Sequence, residues 1–276
     1  MCIRDRFNSR SNMNIWLLAL IILVIAVFMT MTGHGGGNFF IIALVLAGID
    51  MHIAAASVQF VLFTAAFFAM VVFGTKKFVE WKVALLLGIL IGISAFAGGF
   101  FSDYVAGRTL KLILSVLLFI LALLMLKPVK GNADQLTKNG LIYWPVRSFD
   151  NASTYYVNLL IVVPTVLAFG FIAGMVGISG GSFMVPLLVL ACGVPMKNAV
   201  GTVSTLIVVS ALFGFAGHVL SGHFDYRIAL PLAIGGAIGG VIGGSIAIKS
   251  KPGMLKILFA VTTLVAAIIM AYKVFN

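Results

Sequence analysis

The chain has 276 residues, 62% of them hydrophobic and 9% charged, with a formal net charge of +11 and a mean hydropathy of +1.19. Soluble domains hold roughly 45–50% apolar and 25% charged residues, so composition excludes a soluble fold and points to a polytopic membrane protein with little chain left for a separate domain. The Lys and Arg residues sit mostly at the ends of apolar blocks, where they orient the chain and meet lipid headgroups, so the positive charge does not imply a nucleic-acid partner. Cys2 and Cys192 are the two cysteines; they make neither a disulfide framework nor a metal cluster, and no metal or cofactor is expected.

Residues 1–13 form a polar, basic leader, with Met13 the more natural start of the apolar chain. Asn14 to Thr32 is long enough to span and lacks a small-residue cleavage site, which marks a retained helix rather than a signal peptide. A turn, Gly33-His34-Gly35-Gly36-Gly37-Asn38, leads into a short apolar piece ending at Ile49, and Ile53 to Phe73 is the next span. A charged link with Lys76, Lys77, Glu80, Trp81 and Lys82 precedes a Gly-rich span from Val83 to Phe101, and Leu110 to Leu126 reads as a Leu-rich, lipid-facing helix. Residues 128–155 are a polar linker. Tyr156 to Val176 spans again with Pro164 as a kink site, followed by a second interrupted stretch, Gly174 to Thr205. Val203 to Leu220, a link with His223, Asp225 and Arg227, a Gly-rich span to Ile248, a basic link with Lys249 and Lys251, and Leu255 to Tyr272 complete the chain.

Between Gly181 and Gly193 about a dozen residues can be helical, roughly 18 Å long, where a bilayer core needs about 30 Å. Such a segment is short, broken or re-entrant, and irregular backbone at membrane depth is tolerated only where protein or a water-filled cavity satisfies it. The same feature occurs twice. Gly36-Gly37-Asn38-Phe39 aligns with Gly180-Gly181-Ser182-Phe183 at an offset of 144, which becomes 145 for Gly48 on Gly193, Ser57 on Thr202, Lys82 on Arg227 and Gly98-Gly99 on Gly243-Gly244. The chain therefore divides into a first transmembrane repeat, 14–127, the linker 128–155 and a second repeat, 156–276.

The fold class expected is an all-α polytopic membrane protein with two homologous repeats, about eight full spans plus two short broken or re-entrant segments. The alternative is about ten crossings with inverted repeats. With the N-terminus inside and eight spans, the basic stretches 76–82 and 127–147 are cytoplasmic, while Lys249 and Lys251 fall outside, against the positive-inside rule.

The run Gly180-Gly-Ser-Phe-Met-Val-Pro-Leu-Leu-Val-Leu190, followed by Gly193-Val-Pro-Met-Lys-Asn-Ala-Val-Gly-Thr202 and the link His218-Val-Leu-Ser-Gly-His-Phe-Asp-Tyr-Arg227, resembles the sulfite exporter TauE/SafE family of bacterial and archaeal permeases. The resemblance is strongest in the C-terminal half. It implies export or uptake of sulfite, thiosulfate, sulfoacetate or related anions in a prokaryotic plasma membrane. The N-terminal half departs from the pattern: no proline stands at Ile41-Ile42, and Asp50 stands where the second half has Pro195.

Helices that start after Gly36-Gly37 and Gly180-Gly181 present unpaired N–H groups and a positive dipole end to an oxyanion; the plainer alternative is that these glycines only allow tight turns. The side chains beside them are His34 and Asn38 in the first half and Ser179 and Ser182 in the second. Ser57 and Gln59, then Thr202, Ser204 and Thr205, follow on the next helix starts. Hydroxyls and amides can ligate an anion and release it, although Ser and Thr in membranes also bond their own helix carbonyls. Lys197 is either a vestibule charge or a snorkelling lysine. The carboxylates, Glu80 and Asp50 among them, fall in tails, links or segment ends rather than in mid-span, so transport driven by membrane potential without a coupled ion is expected. The competing readings are an anion channel and, from another class, a non-transporting scaffold or receptor. No Ser-His-Asp set or His-Glu-x-x-His motif favours an enzyme.

Overall fold

The computed structural model describes residues 15–33, 35–105, 109, 112, 115–116, 119–120, 143–147, 154–178 and 180–275. In a bilayer every backbone N–H and C=O has to be satisfied within the chain, and uncharged apolar runs of this length do so as helices. In order they are α1 (Ile15–Thr32), α2 (Gly37–Leu46), α3 (Met51–Thr75), α4 (Trp81–Phe100), α5 (Leu159–Val176), α6 (Gly181–Pro186), α7 (Met196–Leu220), α8 (Tyr226–Lys249) and α9 (Pro252–Phe275). Among the described residues α1, α3, α4, α5, α7, α8 and α9 are long and apolar enough to cross a membrane. The leader and most of Leu110 to Leu126 lie outside the described residues.

The linker ends differently from the expectation. β1 (Tyr143–Arg147) pairs antiparallel with β2 (Thr154–Asn158), Tyr143 opposite Asn158 and Arg147 opposite Thr154. Thr154-Tyr-Tyr-Val-Asn158 is β-branched and aromatic with polar ends, a strand composition, so the following helix starts at Leu159 rather than at Tyr156.

Side-chain size is sorted across the bundle. Leu85, Ile89 and Ile93 of α4 and Leu230, Ile234, Ile238 and Ile242 of α8 face outward, whereas Ala54, Ala55, Ala65 and Ala69 of α3 and the small residues of α7 are buried. Lipid is as apolar as leucine, so helices associate through the close backbone approach that small residues permit.

These close approaches fix the helix directions. Gly235, Gly239 and Gly243 of α8 lie against Ala19, Ala26 and Val27 of α1, and Gly236, Gly240 and Gly244 lie against Val61, Ala65 and Ala69 of α3, so α1, α3 and α8 run parallel. Gly88, Gly92 and Gly99 of α4 meet Leu206, Phe213 and Gly214 of α7, and Gly170 and Gly174 of α5 meet Ser94 and Ala95 of α4, so α4, α5 and α7 run parallel. The two sets are opposed, since Gln59 of α3 lies against Gly214 while Phe73 lies against Gly201. One consequence is immediate. With α1 and α3 pointing the same way, residues 33–50 have to carry the chain back, and residues 177–195 do the same between α5 and α7.

Contacts also recur at the sequence offset. A Cβ on Gly98 would strike the Phe171 carbonyl, and one on Gly243 would strike the Val27 carbonyl; Gly33 packs on Val200 as Gly177 packs on Ala55. The short segments are closed by matched turns: Gly33 and Gly177 both have φ of 80°, and Gly48 and Gly193 have φ of 85° and 69°, values that favour glycine. Helix α6 does not continue as a regular helix past Pro186, whose ring and missing N–H disturb the ladder. It passes into a π-helical turn, Leu187–Ala191.

Candidate functional site

The interrupted segments bring their glycine turns to one place. Gly35 and Gly181 both lie against the Ile207 side chain: a Cβ on Gly35 would sit 3.0 Å from Ile207 Cδ1 and 3.2 Å from Leu62 Cδ2, and one on Gly181 would overlap Ile207 Cδ1. Leu62 and Ile207 are themselves 145 residues apart. Both turns therefore meet between α3 and α7, with Gly180 backed by Ile91 of α4 and Gly36 covered by the Phe40 ring. The first intrahelical bonds of α2 run from Phe39 and Phe40 N–H to Gly36 C=O, and those of α6 from Phe183 and Met184 N–H to Gly180 C=O. The earlier N–H groups, of Gly37 and Asn38 and of Gly181 and Ser182, lie ahead of each ladder, as at any helix start.

The side chains singled out in the sequence divide into three groups. His34 and Ser179 lie outside the described residues, as does the side chain of Ser182. Asn38, Ser57 and Gln59 are buried around the turns, each exposing no more than 2% of its surface. Gln59 Nε2 donates to the Ile178 carbonyl at 3.4 Å, which ties α3 to the loop that enters the second turn. Gln59 Oε1, Ser57 Oγ and Thr205 Oγ1 are buried with no hydrogen-bond partner among the described residues. Buried polar atoms in proteins are nearly always paired, so these three atoms on α3 and α7 are the exceptions that a site would use.

Thr202, Ser204 and Lys197 are engaged within the protein. Thr202 Oγ1 accepts from the Glu80 N–H at 3.0 Å. Ser204 Oγ donates to the Val200 carbonyl one turn back at 2.9 Å. Lys197 Nζ donates to the Ile248 carbonyl at 2.7 Å, in the last turn of α8, where a cation meets the negative end of the helix dipole.

Asp50 and Pro195, which differ between the halves, occupy the same structural position. Each is the N-cap of its helix, and Asp50 accepts from the His52 N–H at 2.9 Å. Sequence reading missed Glu80, Leu62 and Ile207. Glu80 has the sequence context of a link residue yet is only 4% exposed, and it accepts from Asn198 Nδ2 at 2.9 Å. Leu62 and Ile207 are indistinguishable from other core apolars until both turns are placed around them. Their one signal was that they occupy the same position in both halves.

The sequence profile of the family described as Sulfite exporter TauE/SafE matches residues 18–270. A probable membrane transporter protein of Bacillus subtilis, YunE, is 28% identical over 58% of this chain and 58% of its own length, so the match spans a little over half of that relative. A probable membrane transporter protein of Xylella fastidiosa is 26% identical over 73% of each chain. A second Bacillus subtilis relative, YdhB, also named a probable membrane transporter protein, is 23% identical over 79% of this chain and 84% of its own length. No solved structure matches.

Proposed function

The chain belongs to the sulfite exporter TauE/SafE family of membrane transporters, and from that premise we propose that it moves a small sulfur oxyanion, sulfite, thiosulfate or sulfoacetate, through a site between the two glycine turns. The observation that carries this reading is the meeting of Gly35 and Gly181 at Ile207, with buried Gln59, Ser57 and Thr205 offering polar atoms that the protein itself does not use. Two helix starts facing one point supply N–H donors and positive dipole ends without a fixed cation, so the anion is held and still released. Asn38 on α2 and Ser182 on α6 belong to the same set by position.

The helix directions favour the inverted arrangement over the eight-span one. Helix α1 opposes α5, α3 opposes α7 and α4 opposes α8, which supports reading the second half as an upside-down copy of the first with about ten crossings. This arrangement places Lys76, Lys77, Lys82, Lys197, Lys249 and Lys251 on one face, and the positive-inside rule assigns that face to the cytoplasm of a prokaryotic plasma membrane. Lys249 and Lys251 then cease to be exceptions. In the described conformation Leu62, Ile207 and Phe40, none exposing more than 1%, fill the space between the turns, so passage requires the two halves to move. The packing supports alternating access over an open pore.

No coupled ion is needed for export. A dianion leaving a negative interior gains about 4.6 kcal/mol per 100 mV. The test is flux of sulfite, thiosulfate, sulfoacetate and sulfate into and out of liposomes holding the purified protein at clamped potential. Saturable, selective flux with counterflow is expected, driven by voltage at zero pH gradient; flux that vanishes when only the pH gradient is removed overturns the uncoupled mechanism.

A further inference from the structure

The contacts at corresponding positions on the two faces of the bundle differ, although the halves align position by position. On the lysine-bearing face, the link between α3 and α4 is bonded to the start of α7. Glu80 accepts from Asn198 Nδ2 at 2.9 Å, the Glu80 N–H donates to Thr202 Oγ1 at 3.0 Å, and the Phe78 carbonyl lies so close to Gly201 that a Cβ there would overlap it. On the opposite face the corresponding residues are Asp225, Ile53, Ser57 and Ala56. Asp225 caps its own helix, accepting from the Arg227 N–H at 2.9 Å. Ile53 has no side-chain amide to donate, Ser57 Oγ has no partner among the described residues, and Ala56 carries the methyl that Gly201 lacks. Rings pack on that face: His52 on His223 with centroids 5.3 Å apart, and Phe224 on Phe215 and Phe60 at 4.8 and 5.8 Å.

We propose that Glu80, Asn198 and Thr202 form a latch that holds the lysine-bearing mouth shut and has to break once in each transport cycle. The claim rests on the transporter reading and adds a positioning role for Glu80, which does not itself touch the substrate. The same short stretch of α7 serves both ends of the coupling. Asn198, Gly201 and Thr202 meet the link, while Val203 and Ile207 pack on Gly181 at the site. Movement of the anion-binding turn is therefore transmitted to the latch along one rigid helix. A carboxylate acceptor and a backbone donor, both buried, hold only in one geometry, because a hydrogen bond weakens steeply with misalignment.

The chain holds its own reporter. Cys192 is 2% exposed and lies six residues before Asn198 on the same mouth. With Cys2→Ser it becomes the sole thiol. In liposomes containing the full chain, the rate of Cys192 labelling by a membrane-impermeant maleimide is measured from each side, together with sulfite flux and melting temperature. Glu80→Ala and Asn198→Ala are expected to raise labelling about tenfold, from the lysine-bearing side only, as loss of one charge-assisted hydrogen bond predicts. Glu80→Gln, which keeps an acceptor for Asn198, stays within about twofold of the parent, and Asp225→Ala, the corresponding position, leaves the rate unchanged.

Unchanged labelling in both alanine variants overturns the latch, as does acceleration from both sides in step with a lowered melting temperature, which reports general loosening. A Glu80→Gln rate as fast as that of Glu80→Ala overturns the hydrogen-bond account. If the parent moves none of the anions, the transport reading fails while the labelling still decides the latch. If one alanine variant does not fold, the other tests the contact from its opposite side.

Discussion

At the scale of single residues, Gln59 is the side chain whose role separates most cleanly from stability. It makes one long bond, 3.4 Å to the Ile178 carbonyl, and its Oε1 is buried without a partner among the described residues. Gln59→Leu, close in volume, is expected to lower sulfite kcat/KM about tenfold, the equivalent of one hydrogen bond to a charged group. Its cost in stability stays below about 1 kcal/mol, measured as the melting temperature in detergent. Unchanged flux removes Gln59 from the site. Residue types are legible in the amino-acid sequence itself: an amide and hydroxyls beside paired glycine turns are the right kind of group to suspect. Which polar atoms are already used is not legible there. Thr202 and Ser57 hold corresponding positions, yet the Thr202 hydroxyl is bonded across the halves while the Ser57 hydroxyl has no partner among the described residues.

At the scale of elements, glycine positions decide how near the helices come. Gly98 of α4 sits on the Phe171 carbonyl of α5 and Gly243 of α8 on the Val27 carbonyl of α1. Gly98→Ala and Gly243→Ala are expected to destabilise the protein by similar amounts, about 1–3 kcal/mol each, as a methyl group forced into a packed contact does. Gly253→Ala in α9 is the control: outside its own helix no described atom lies within 4 Å of its added Cβ, and the change in propensity is below about 1 kcal/mol in this first turn. Thermal unfolding of the three variants checks all of this, and a Gly98 cost without a Gly243 cost breaks the equivalence of the two contacts. The glycine pattern along the chain shows that these spans pack closely. It does not show against what, because each partner belongs to the other half of the chain.

At the scale of the whole molecule, direction separates the two topologies. With parallel repeats, Lys77 and Lys251 lie on opposite sides of the membrane; with the helix directions observed, they share a side, and Gly222 lies on the other. Single cysteines at these three positions, in a chain carrying Cys2→Ser and Cys192→Ser, are expected to label with impermeant maleimide from one side for 77 and 251 and from the opposite side for 222. Labelling of 77 and 251 from different sides restores the eight-span arrangement.

The sequence by itself determined that the chain lives in a membrane, where most of the described helices run to within a few residues, although α7 starts at Met196 rather than at Val203, and that two broken apolar segments carry the same glycine turns. Those properties follow from composition and local backbone chemistry, which each stretch carries alone. Tertiary structure decided that the turns meet at Ile207, that α1 and α3 run the same way, and that Glu80 is a buried contact between the halves rather than a link charge. Each of these is a relation between residues more than a hundred positions apart or a direction in space. Hydrophobicity, which marks the apolar blocks one stretch at a time, carries no record of either.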